Sequence, residues 1–80
     1  MTKYIVVTYN RNTGRFKESK VVYDLDGAID CLKYKCEDII DDFLNDGIRM
    51  GVSMICFNEA IRIFDVNHEN NYYVVFLRAV

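Results

Sequence analysis

Residues 24–47, DLDGAIDCLKYKCEDIIDDFLNDG, decide the fold. At about 100° per residue, Leu25, Ala28, Ile29, Leu32, Cys36, Ile39, Ile40 and Phe43 fall on one broad apolar stripe. Opposite it lie Asp30, Tyr34, Glu37, Asp38, Asp41 and Asn45, with Cys31, Lys35 and Asp42 on the flanks. This spacing predicts an amphipathic α-helix with one face to bury and one to expose. Asp24 or Asp26 can cap its start by accepting unsatisfied backbone N–H groups, and Gly47 can end it in the left-handed conformation.

The segments on either side read as strands. KYIVVTYN (3–10) is rich in β-branched and aromatic residues. RNTGR (11–15) supplies a turn with Gly14, and FKESKVVYD (16–24) returns as the second arm of a hairpin. After Gly51, VSMICFN, IRIFDVN and NYYVVFLRAV read as three further strands, with turns at Asn58-Glu59 and at HENN (68–71). NEAIRIF (58–64) is too short to fix its period and also fits a short helix. Connections this short require antiparallel neighbours. The expectation is therefore an α+β fold, ββαβββ, with one amphipathic helix packed on a mostly antiparallel sheet, in a single domain covering residues 1–80.

One helix of about 30 Å can cover only one face of a five-stranded sheet about 20 Å wide. Yet Tyr4 and Val6 oppose Ile5 and Val7 along the first strand, and Tyr72, Val74 and Phe76 oppose Tyr73, Val75 and Leu77 along the last. A sheet with one solvated face should alternate apolar with polar. Either the sheet curls on itself or a second copy covers the other face, and a homodimer is expected.

Composition narrows the function class. A hydrophobic share of 51% argues against disorder, and 80 residues make a small domain with a thin stability margin. The opening residues lack the basic, apolar and small-residue pattern of a secretory leader, and no apolar run approaches the roughly 20 residues of a membrane span. A cytoplasmic protein without a membrane partner is expected. Cys31, Cys36 and Cys56 are odd in number and lack close C-x-x-C spacing, and His68 has no cysteine beside it. No metal and no cofactor are expected. A calcium loop begun at Asp42 would meet Leu44 at its third position and Ser53 at its twelfth, where oxygen ligands are needed. Catalysis is not expected, since glycine-rich phosphate loops are missing and the paired carboxylates sit on one convex helix face.

Charge distribution is more informative than net charge, which is −2. Residues 1–23 carry five cations against Glu18, a net of +4, whereas residues 24–46 carry eight acids against Lys33 and Lys35, a net of −6. Glu37 with Asp41, Asp38 with Asp42, and Asp42 with Asp46 are like charges four residues apart near the negative end of a helix. Together they cost on the order of 1–2 kcal/mol, a large fraction of a small domain's margin. Such a violation of local rules points to function.

The favoured reading is a small non-enzymatic interaction protein. Its protein-binding face comprises Asp30, Tyr34, Glu37, Asp38, Asp41, Asp42 and Asn45. A row of carboxylates imitates a nucleic-acid backbone and would attract a partner with a basic surface, with Tyr34 as an aromatic anchor. A phage or mobile-element inhibitor of a host nucleic-acid-binding defence protein is the biological class that fits. A nucleic-acid-binding module built on the basic hairpin, through Arg11, Arg15, Lys17 and Lys20 with Tyr9 and Phe16 interleaved, is the alternative. A structural subunit of an assembly is a third.

Overall fold

The computed structural model describes residues 2–56 and 59–80. Its elements are β1 (Tyr4–Asn10), β2 (Arg15–Glu18), α1 (Leu25–Asn45), β3 (Met50–Cys56), β4 (Ala60–Asp65) and β5 (His68–Ala79). The strands form one antiparallel sheet in the order β2-β1-β5-β4-β3, and α1 packs on one face of it. The chain leaves the sheet at the β2 edge and re-enters at the opposite edge as β3. A 21-residue helix, about 30 Å long, is what makes that crossing possible.

Both helix ends are closed by local chemistry. Asp24 has extended backbone angles (φ −138, ψ 154) and its carboxylate accepts from the Gly27 N–H. At the other end Gly47 has φ +70, the Ile48 N–H donates to the Phe43 carbonyl at 2.9 Å, and the Gly47 N–H donates to Leu44 at 3.1 Å. Those two bonds make a Schellman motif, with Ile48 folding back onto the core that holds Phe43. Ala28, Leu32, Cys36, Ile39 and Phe43 are the buried helix residues, and Leu32, Cys36, Ile39 and Phe43 meet Val6, Ile63 and Val75 from the three central strands. Leu25 departs from the expected stripe. It lies at the end of the sheet beside Tyr4, Leu77 and Ala79 and stays 47% exposed.

Two expectations about the strands need correction, and one open alternative is closed. The second strand is only four residues long, because the Ser19 hydroxyl accepts the Val6 N–H and donates to the Lys20 carbonyl, diverting the chain. Pairing resumes at an isolated bridge between Val22 and Tyr4. HENN is part of β5, and the turn is at Val66-Asn67 instead. There the buried Asp65 carboxylate accepts from the Asn67 N–H at 2.9 Å and from Asn71 Nδ2 at 3.2 Å, which fixes a tighter hairpin. Ala60–Asp65 is a strand, so the helical option for NEAIRIF falls; its Asn58 lies outside the described residues.

The face turned away from α1, expected to be covered by a curled sheet or a second copy, is covered in part by side chains of its own strands. Ile5 and Val7 on that face are only 5% and 2% exposed within the single chain. The register explains this. Glu18 pairs with Val7 from one side and Arg78 pairs with Ile5 from the other, and the two side chains join at 3.3 Å. The ion pair therefore bridges across β1, over these two residues.

Candidate interaction surfaces

Alternate residues of each strand point to opposite faces, so the register assigns every strand side chain to one side of the sheet. Asn10 pairs with Arg15 and Thr8 with Lys17, which places those two cations on the helix side. Tyr9 pairs with Phe16 on the other side. The cations and rings that look interleaved in the hairpin sequence are thus on opposite faces. Arg11 and Lys20 are exposed at the hairpin's two ends.

On the helix side, Arg15 and Lys17 line a cleft of about 700 Å³ with Lys35, Asp38 and Asp42 of α1. Val6, Thr8, Ile39 and Tyr73 also line it. The acidic face is consequently divided. Asp38 and Asp42 look toward the basic hairpin, whereas Asp30, Tyr34, Glu37, Asp41 and Asn45 run along the outer crest, all exposed. Among the described residues the ion pair within 4 Å is Arg78–Glu18, so none of the helix acids has a close cationic partner. Tyr34 is 66% exposed in the middle of the crest, with no packing role to explain it.

On the opposite side, rings spread across four strands. Tyr9 and Phe16 have centroids 4.8 Å apart, and Tyr9 and Tyr72 are 6.4 Å apart in an edge-on arrangement. The Arg62 guanidinium lies 4.5 Å from the Tyr72 ring and 5.0 Å from Phe64. Phe64 in turn leans over Gly51 of β3: a Cβ there would come within 2.5 Å of the ring. The sequence marks Tyr72 only as an apolar residue of the last strand, and it does not mark Arg62 or Phe64 as site residues. The alternation of Arg62 with Phe64 is visible, but nothing in the chain says that β5 lies between β1 and β4.

The β3 edge is a third surface. Met50–Cys56 contains no charged residue, and Val52, Met54 and Ile55 are each more than half exposed. The other edge strand, β2, carries Arg15, Lys17 and Glu18.

Cys36 is in the core, where burial, with a smaller contribution from Glu37, pushes its thiol up to about 11. Cys31 is half-buried, and the Cys56 sulfur lies 3.5 Å from Glu59 Oε2. Among the described residues no group of three His, Cys, Asp or Glu side chains is arranged to hold a metal ion, and no helix is long and apolar enough to cross a membrane. No family model matches this chain, and neither does any curated protein or solved structure in the comparisons made.

Proposed function

We propose that this chain is a non-enzymatic interaction protein that offers the outer crest of α1 to a basic surface on a protein partner. The observation that carries the reading is Tyr34, 66% exposed among Asp30, Glu37 and Asp41, none of which has an ion-pair partner among the described residues. The crest accepts like-charge repulsion at the negative end of a helix, and a cationic partner would turn that cost into attraction. The tyrosine then supplies the apolar contact that charged rims lack. A surface that normally grips a nucleic-acid backbone has the required chemistry. In its narrowest form the reading is a phage or mobile-element inhibitor acting in the cytoplasm on such a host protein.

A second copy belongs to the same proposal, at the β3 edge. Antiparallel pairing of β3 with its twin about Ser53 would bring Val52 of each copy against Met54 of the other, a self-complementary contact with no charge to bury. The apolar sheet face behind the helix is the weaker place for it, since Ile5 and Val7 are already covered.

The test is capture of partners from a host lysate by the wild type and by a Glu37→Lys/Asp41→Lys variant. Loss of capture with an unchanged circular dichroism spectrum is expected. Equal capture by both would remove the acidic crest from the interface.

A further inference from the structure

We propose that the sheet face turned away from α1 is a stacking platform for single-stranded nucleic acid. The inference stands apart from the acidic crest, which occupies the opposite layer.

The first observation is geometric. Phe16, Tyr9, Tyr72 and Phe64 come from β2, β1, β5 and β4 in that spatial order, so the rings form a track across the sheet instead of a core cluster. Successive centroids of the first three are 4.8 and 6.4 Å apart, and Phe16 is 62% exposed at the outer end. Flat rings on a rigid sheet accept unstacked bases of any sequence, because every base has a π-face.

The second observation is charge. Arg62 lies within the track, its guanidinium against both Tyr72 and Phe64. Arg78 is on the same face, and Glu18, the carboxylate facing it from β2, is taken up by Arg78 at 3.3 Å. The strand register leaves Arg62 and Arg78 against Glu18 as the charged strand residues of this face, so once Glu18 is paired with Arg78 the unspent charge is that of Arg62, at the centre of the ring track. Arginine between aromatic rings is suited to the phosphates that link stacked bases. The acids of α1 lie behind the sheet, where salt screens them.

Gly51 completes the arrangement. Its missing Cβ lets the Phe64 ring reach over β3, so the track extends toward the far edge, with the Arg62 guanidinium over that ring. The face lacks the charged alternation of an ordinary solvated sheet, and its cations and rings match a polyanion that carries bases better than they match an apolar protein surface.

Fluorescence anisotropy of labelled oligothymidine and oligouridine of about ten nucleotides, and of a duplex of equal length, tests the proposal. Binding of the single strands, weaker for the duplex and weakening steeply with salt, is expected. Tyr72→Leu should reduce affinity roughly 5- to 100-fold, and Arg62→Gln should reduce both affinity and the salt slope. Phe16→Ala, at an exposed position, should weaken binding without burdening the fold. Lys17→Gln, on the helix side, should leave affinity and salt slope close to those of wild type, and a loss as large as that of Arg62→Gln would place the nucleic acid on the wrong face and overturn the proposal. A wild type that binds neither oligonucleotide at low salt overturns the proposal, as do folded Phe16→Ala and Tyr72→Leu variants that bind like wild type. So does a dimer whose formation, and nothing else, is lost in Tyr72→Leu, which would assign the face to a second copy.

Discussion

Replacing Asp41 by lysine should make this protein more stable. Asp41 is exposed on the outer crest, four residues after Glu37 and three after Asp38. Both spacings bring like charges together on a helix surface, at about 0.2–0.5 kcal/mol each. Lysine at this position converts two repulsions into two attractions, with Glu37 in the favourable N-terminal place. It also puts a cation near the C-terminal end of α1, where none of the last-turn residues is basic. The sum is about 1–1.5 kcal/mol at low ionic strength. For a domain of this size that corresponds to a rise in Tm of roughly 5–10 °C.

Thermal unfolding at fixed protein concentration, in about 20 mM and about 1 M salt, measures it, because at 1 M the Debye length falls to roughly 3 Å and the gain should shrink by more than half. Asp41→Asn is the control for helix propensity, since asparagine and aspartate are similar in that respect, and should recover about half the gain. A Tm for Asp41→Lys that is unchanged or lower at low salt would refute the claim that the crest is electrostatically strained. The argument for a cationic partner would lose its physical basis with it.

Gly51→Ala should destabilise the fold by about 1–2 kcal/mol, although alanine normally improves on glycine within a strand, because its Cβ would strike the Phe64 ring. In a Phe64→Ala background the same change should be neutral or stabilising, and a urea midpoint equal to that of wild type in the parent would contradict the close approach. The raised Cys36 thiol gives a contribution to stability that is complete below its ordinary value of 9.0 and lost as pH rises through about 11. The unfolded thiol gives up its proton first, so the folded state is penalised by on the order of 2 kcal/mol at the top of that window. Urea titrations at pH 8 and 10.5 should show a larger fall for wild type than for Cys36→Ala, and equal falls would contradict it. Met54→Lys should turn a β3-paired dimer into a monomer in sedimentation. A wild type that is already monomeric at micromolar concentration sinks the pairing.

The helix was legible in the sequence almost to the residue, and for physical reasons. Its apolar spacing, Asp24 and Gly47 all act within the segment, so no knowledge of distant strands is needed to read them. The antiparallel α+β class followed from short connections. Strand boundaries were less legible where a side chain takes over a backbone bond, as Ser19 does for Val6 and Asp65 does for Asn67. Asparagine-rich HENN looked like a turn on composition, but the carboxylate of Asp65, three residues before its start, had closed the chain already. The acidic face was legible as a set, but its division was not. Whether Asp38 looks toward Lys17 or toward solvent depends on β2 being an edge strand, and strand order is a tertiary fact. The same holds for the ring track, whose members are scattered from position 9 to position 72.

The division of the acidic face has a consequence of opposite sign on its two sides. Asp38 and Asp42 share a cleft with Arg15 and Lys17, so part of their mutual repulsion is offset by cations of the same chain. Asp30 and Glu37 have Lys33 one turn away as a partial offset, and Asp41 has no cation within a turn on the helix. Charge reversal at Asp42 therefore trades relief from Asp38 and Asp46 against new repulsion from the hairpin, and its gain in stability should fall well short of that for Asp41→Lys. The contrast separates two explanations of an acidic helix. If every helix acid serves to hold the basic hairpin in place, reversal at Asp41 should be as unrewarding as reversal at Asp42. If the crest is kept for something outside the chain, only the crest should carry unspent electrostatic strain. Tyr34 lies on the crest, not in the cleft, and a large ring left in water beside incompletely offset carboxylates is hard to attribute to solubility alone.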